Sequence, residues 1–432
     1  MRSWSRQVAV ILGVSLMSFG VTVPVRAQPP GDKLNTYTPG SGFRVADTEH
    51  GTLNIRIWAY VRYLNQTGLD DTFTDSFGTT SDVKRRQDMQ VNKVNIYFQG
   101  WLMDPKFRYV TYVWTSNTSQ GNGAQVVVAG NLGYAFNDYA TLSAGIGALP
   151  GVRTTEGNSP FWLGVDNRLI ADEFFRPSYT TGIWSQGKVV DRVKYFLMVG
   201  NNLSQLGVDA AQLDNSFDTW SGGVVWAPTT GEFGNRGALG DFESHDNVAT
   251  RLAAHYTRSD EDRQSQPGTE DPENSQIRIS DGNIVFKGEL FGPGIYVSKV
   301  RYQMASADVG LKYHGYALEA EVYRRWVDDF RGLGTENLPF DRLTDDGFQL
   351  QASGMVVPKS LQVYVSASKI FGQYGDPSDS RIGANFYPWK NQVARWNVEL
   401  ISLNDSPVGG LSLPYTVGGN GPVFHTNFEV NF

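Results

Sequence analysis

The chain has 432 residues, with 37 Lys plus Arg against 44 Asp plus Glu, and it contains no cysteine. The acidic balance argues against nucleic acid as a partner, and the missing cysteines exclude disulfides and thiolate-held metals. Aromatic residues at 13% together with 47 glycines suit a sheet with one apolar face, many turns and aromatic edges better than a soluble core.

Residues 1–27 read as an export signal: Arg2 and Arg6 precede an apolar run from Val8 to about Val23, and Val25-Arg26-Ala27 offers a small-residue cleavage site. The run is broken by Gly13, Ser15, Ser18, Gly20 and Thr22, which argues against a membrane anchor. Removing that segment takes away three arginines and no acid, leaving 34 bases against 44 acids, a balance of −10. No later stretch reaches the roughly 18 uninterrupted apolar residues of a membrane helix, so an exported chain of this kind enters a membrane only as strands. Residues 28–51 read as a short N-terminal segment on the periplasmic side.

From residue 52 onward, strands with apolar and polar residues on opposite parities follow one another. They are expected at 52–63, 91–101, 106–116, 125–136, 139–148, 179–189, 192–201, 218–227, 247–258, 299–313, 316–327, 346–357, 360–370, 381–388, 391–403 and 421–432. The count is sixteen, and it is even. Their connections alternate between long and short, as between the 64–90 loop and the Met103-Asp104-Pro105 turn. One link, 228–246, is long where a turn is due.

This rhythm predicts an all-β, antiparallel transmembrane β-barrel over 52–432, with short periplasmic turns, long outer loops and both termini periplasmic. In the last strand, even positions carry Phe424, Thr426, Phe428, Val430 and Phe432, so the apolar parity is expected to face lipid while the strand pairs with the first. Aromatics beside the turns, among them Phe136, Tyr139, Trp226, Tyr313, Tyr316, Tyr387 and Trp389, are expected to form an interfacial girdle. A secreted β-rich adhesin also has short alternating strands, but it does not call for the long/short loop rhythm.

The third outer loop, 149–178, carries Phe161, Trp162, Leu163, Leu169, Ile170, Phe174 and Phe175, which need a wall to pack on and so predict a loop folded into the lumen. Its charges, Arg153, Glu156, Asp166, Arg168, Asp172, Glu173 and Arg176, are the candidate constriction. On the strands, the less apolar parity places Arg56, Arg62, Lys93, Arg108, Lys194, Arg251, Arg301, Arg325, Arg381 and Arg395 toward the lumen, against Glu319, Glu321, Glu399 and Glu429. Asp308 is left open by an apparent slip of the alternation near Ala305. The count predicts a diffusely basic lumen in an acidic protein, and rings of charge of this kind bias ion passage.

A barrel-embedded enzyme is the alternative, and it needs a nucleophile, a histidine and an acid together. His255 and His425 fall on the inward parity, but the sequence has no nucleophile motif such as GxSxG, so no catalytic residue is assigned. The acids of DPENSQIRISDGN (271–283) miss the spacing of a calcium loop, so neither a metal nor a cofactor is expected.

The stretches VNKVNIYFQGWLMDPKFRYVTYVW, SAGIGALPGVRTTEGN and RIGANFYPWKNQVARWNVELI resemble the phosphate-selective porin O and P family of sixteen-stranded outer-membrane porins. That resemblance implies a homotrimer of water-filled channels, each constricted by its third loop. It also implies that Phe428, Val430 and Phe432 form the aromatic-ended signal read by the outer-membrane assembly machinery. Three bases against four acids in the third loop depart from a dense phosphate trap. The expected function is passive diffusion of small hydrophilic solutes or ions with mild anion preference, in the outer membrane of a Gram-negative-type bacterium, after Sec-type export. The expected partners are outer-membrane lipid, the assembly machinery and small anions.

Overall fold

The structure, a computed structural model, describes residues 36–38, 41–116, 125–157, 161–204, 217–234, 237–264, 274–410 and 413–432. The export signal read at 1–27 lies outside them. Sixteen antiparallel strands close into a barrel. In chain order they are β1 (Gly51–Asn65), β2 (Gln87–Leu102), β3 (Asp104–Ser116), β4 (Gln125–Asn137), β5 (Ala140–Ala148), β6 (Tyr179–Val190), β7 (Val193–Gly200) and β8 (Thr219–Trp226). They continue as β9 (Ala249–Asp262), β10 (Tyr296–Tyr313), β11 (Tyr316–Leu333), β12 (Arg342–Val357), β13 (Leu361–Phe371), β14 (Ser378–Phe386), β15 (Ala394–Asn404) and β16 (Gly421–Asn431).

Closure is made by β16 on β1, in register from Phe424 opposite Asn65 to Asn431 opposite Trp58. Phe432 then exchanges both backbone hydrogen bonds with Ile57, at 2.5 and 2.9 Å. The strand edge that a hydrophobic terminus leaves bare is thereby satisfied. Two short strands, Tyr37–Thr38 and Gly42–Thr48, pair with each other, and the second pairs with the start of β1.

Long and short connections fall at opposite ends of the sheet. At the turn end, His314 and Gly315 both have positive φ, 48° and 85°, the geometry of a two-residue hairpin whose twist matches its strands. Through the middle of the strands the outward parity is apolar and exposed, as with Val126, Val128 and Leu132 on β4 or Leu318 and Val322 on β11. Trp226, Tyr316 and Trp389 stand exposed near the turns, but Tyr387 does not belong to that girdle. It is 2% exposed and packs inward on Phe242, ring centroids 4.8 Å apart.

One parity assignment is corrected and one left open is decided. The alternation of β10 does not slip at Ala305; it shifts at a bulge between Val297 and Arg301. Beyond it the even positions face inward, so Asp308 is lumenal and Arg301 is outward, where it pairs with Asp260 and Asp329 at 2.9 and 3.0 Å.

The interior of the barrel is largely filled. Residues from the first, third, fourth, fifth and eighth long loops join one apolar cluster with inward residues of β10 to β13, β15 and β16, including Leu69, Phe175, Leu203, Phe286 and Tyr415. The long turn-end link, 227–248, also folds inward. Its Leu239 packs with Trp162, Leu163 and Tyr364, and its backbone amide donates to the Phe161 carbonyl at 2.8 Å.

Candidate functional site

The segment 149–178 contains a 3-10 turn, Arg153–Glu156, and a short helix α1, Ile170–Phe175. Neither turn has a side-chain N-cap. The loop's order therefore comes from what it touches. Phe161, Trp162, Leu163, Leu169, Ile170, Phe174 and Phe175 are all buried. Phe175 stacks on Tyr323 of β11 with centroids 5.1 Å apart.

The wall holds the loop mainly through its carbonyls. Arg395 donates to the Trp162 oxygen and Arg62 to the Val165 oxygen, each at 2.6 Å. Arg381 donates to the Arg168 oxygen at 2.5 Å, and Tyr302 to that of Phe175 at the same distance. From the turn end, Lys312 binds the carbonyls of Phe233 and Ala238 at 2.9 and 2.6 Å, bracing the 227–248 link in the same way.

These contacts change the reading of the lumenal bases. Arg62, Lys93, Arg251, Arg325, Arg381 and Arg395 are buried, and five of them meet a carboxylate. Lys93 meets Asp166, Arg251 meets Asp308, Arg325 meets Asp345, Arg381 meets Asp379 and Arg395 meets Glu429, all within 2.6 to 2.7 Å. Arg56 is buried under Tyr97, its guanidinium carbon 4.1 Å from the ring centroid. Arg108 and Lys194 stand exposed on the inward parity near the turn end. The lumenal bases are thus largely clamps, neutralised where they stand, and the diffuse positive field expected from counting them is correspondingly reduced.

Loop and wall charges divide by position. Arg153 is buried on Glu319 at 2.8 Å, and Asp172 is fully buried beside Thr154, whose hydroxyl donates to it at 3.0 Å. Burial pushes Asp172 up to about 6, although Arg168 lies near. Glu156 binds Arg251 at the rim of the open space. Asp166 bridges Lys93 at 2.6 Å and the Tyr60 hydroxyl at 2.7 Å. Arg168 lies on the Trp162 ring at 4.0 Å and shares Glu173 with Arg176, at 3.5 and 2.6 Å. Burial alone would raise Glu173, but Arg176 and Arg168 hold it below the usual carboxylate range.

What remains open is a cavity of about 720 Å³, set to one side of the barrel between the loop and β1 to β7. Its position follows from side-chain size. The inward positions of β4 and β5 are small, including Ala129, Gly133, Ser143, Gly145 and Gly147, whereas the opposite wall carries the large clamps that hold the loop. Trp58, Tyr97, Tyr112, Trp114 and Trp184 give the cavity an aromatic side, and Lys93, Asp166, Arg168, Glu173 and Arg176 give it a charged one.

Sequence reasoning missed Lys312 and Arg278, the second of which lines the passage from the fifth long loop. It also missed the inward acids Asp345 and Asp379, which fell just outside the expected strands. Both inward histidines are engaged: His255 with the Pro150 carbonyl and Asp308 at 2.9 and 3.2 Å, and His425 with Glu399 at 2.8 Å. Neither ring meets a hydroxyl among the described hydrogen bonds.

No family model matches the chain, and no curated protein matches it. Among solved structures it is similar to the outer-membrane expressed OmpT of Vibrio cholerae, with 10% identity over 90% of this chain and 99% of that one and a TM-score of 0.54. It is also similar to an anion-selective porin from Comamonas acidovorans, with 9% identity over 88% and 100% and a TM-score of 0.53. A third is the outer membrane channel DcaP of Acinetobacter baumannii, with 8% identity over 91% and 100% and a TM-score of 0.53. The narrower resemblance to phosphate-selective O and P porins is not carried by these matches. What the chain shares with them is the closed antiparallel barrel of sixteen strands.

Proposed function

We propose that this chain is an outer-membrane porin, a passive channel for small hydrophilic solutes with a mild preference for anions, and not an enzyme. The observation that carries the reading is a closed barrel with an apolar outer parity around an off-axis cavity of about 720 Å³ lined by charged and aromatic side chains. Holding such a passage open through hydrocarbon is a task for a sheet without edges. In this reading both chain ends and the short turns face the periplasm, after Sec-type export and cleavage near Ala27. The third loop enters from outside as the constriction.

Assembly as a homotrimer, and recognition of Phe428, Val430 and Phe432 by the assembly machinery, belong to the same proposal. The last three lie on the lipid-facing parity of β16 and its end, where a partner strand or factor can read them. The mild anion preference rests on the passage lining, where Lys93, Arg168, Arg176 and Arg278 face Glu156, Asp166 and Glu173. Most of these charges are already paired, so a strong phosphate trap is not part of the reading.

The test is single-channel recording in a planar bilayer, with reversal potentials across a salt gradient at low and high ionic strength. Screening over about 8–10 Å at ordinary salt should make a weak anion preference fade as salt rises. Cation selectivity contradicts the anion preference, and absence of channel steps contradicts the porin.

A further inference from the structure

In the fifth long loop, between β9 and β10, residues 276–279 pass the cavity, with Arg278 in an isolated antiparallel bridge to Ile284. Ile277 and Ile279 point into the apolar cluster, while Gln276 and Arg278 point the other way and line the cavity. Gln276 fixes this stretch to the third loop by donating to the Arg176 carbonyl at 3.0 Å. Arg278 donates through Nη1 to the Gly282 carbonyl at 2.7 Å, and its own carbonyl is held by Arg325 at 2.7 Å.

Arg278 differs from the clamps: among the described residues no carboxylate pairs with it. A guanidinium has five N–H donors, and among the described residues only the Gly282 carbonyl takes one of those of Arg278, which lines the cavity. Its surroundings match the body of a ligand as well as its charge. Across the same cavity stand Trp114 and Trp184, half-buried, and the small inward side chains of β4 and β5 leave room beside them.

We propose that Arg278 is the anchoring cation of a solute-binding site in the passage, taking a small organic anion by its carboxylate while Trp184 and Trp114 contact its planar body. The inference rests on the porin reading and specifies the solute class. A carboxylate matches the guanidinium fork in two parallel hydrogen bonds, which a spherical anion such as chloride does not. Burial without a paired acid pulls Arg278 down to about 10, so it stays protonated at neutral pH.

The experiment measures block of chloride current by benzoate and, separately, by inorganic phosphate, using the full-length protein in planar bilayers. Benzoate is expected to block the unmodified channel, and Arg278→Gln to raise the half-blocking concentration about tenfold, the order expected for one charge-assisted hydrogen bond. Arg278→Lys, which keeps charge but not the fork, should fall between them. Trp184→Leu should weaken benzoate block more than phosphate block. Heat-modifiable gel migration verifies that each variant is folded, and Arg278→Lys decides the matter should Arg278→Gln not fold. Equal benzoate block with and without the Arg278 fork overturns the site, and phosphate blocking as well as benzoate overturns the role of the rings. An unmodified protein that forms no channel fails the porin reading itself, a result distinct from a conducting channel indifferent to Arg278.

Discussion

Arg395 holds Glu429 at 2.7 Å with one side of its guanidinium and the Trp162 carbonyl at 2.6 Å with the other, so a single wall side chain both closes the β15–β16 pair and pins the third loop. The side chain is fully buried. Replacing it with Ala takes the guanidinium away from a buried carboxylate to which Trp58 Nε1 still donates at 2.7 Å, and removal of one partner of a buried pair costs about 3–5 kcal/mol. The Arg395→Ala protein is expected to unfold at lower urea concentration in lipid vesicles, while Arg395→Ala combined with Glu429→Gln should recover part of the loss. Unchanged midpoints for both would contradict the clamp.

The turn-end link supplies a second restraint from the opposite side. Leu239 fills the space among Trp162, Leu163 and Tyr364, and truncating a buried leucine costs about 2–5 kcal/mol. With Leu239→Ala the third loop loses support at its tip. Single-channel recordings should therefore show larger or noisier current steps, whereas an identical, quiet current would mean that the link does not brace the loop.

Asp172 gives the loop a pH dependence whose sign can be worked out. Burial raises its carboxyl to about 6 in the docked loop, against 3.8 for an unperturbed group. Between these values the docked state binds a proton that the undocked state lacks, so docking strengthens as pH falls through that window and is flat above it. Thr154, Arg168, Glu173 and Arg176 are the groups that act on Asp172 from its own loop, and Arg168 and Arg176 oppose the shift without cancelling it. Protease cleavage within 149–178 should slow between pH 6.5 and 4.5, with a protease active across that range. Asp172→Asn should abolish the change.

Arg301 offers a negative control for the charge reading. It sits on the outward face in exposed pairs with Asp260 and Asp329, where such pairs contribute about 0–1 kcal/mol. Arg301→Gln is expected to leave both the reversal potential and the stability within that range. A shift toward cation selectivity would return Arg301 to the lumen.

The barrel was legible because a strand has period two: one buried face leaves an alternating trace that survives single errors, and fifteen of the sixteen strands left a clear one while 179–189 left a less regular one. The Arg301 assignment failed where the trace is fragile, since one bulge residue reverses every side chain beyond it. The apolar content of 161–175 is visible in the sequence, but the wall it meets is not, because Ser368 and Arg395 lie 197 and 233 residues from the loop residues they bind. Counting lumenal arginines overstated the field for a related reason. Five of these bases pair with carboxylates, and of those acids Asp308 was left open while Asp345 and Asp379 fell just outside the expected strands.

The off-centre passage divides the barrel into two kinds of wall. Strands β9 to β16 present large charged side chains that are locked to the inner loops, so a change there is felt first as a loss of fit. Strands β3 to β6 present mainly small and aromatic side chains to the open space, such as Gly147 and Trp184, so a change there alters first what a passing molecule touches. A lineage carrying this barrel could therefore retune its permeant on one flank while leaving the bracing of the other intact.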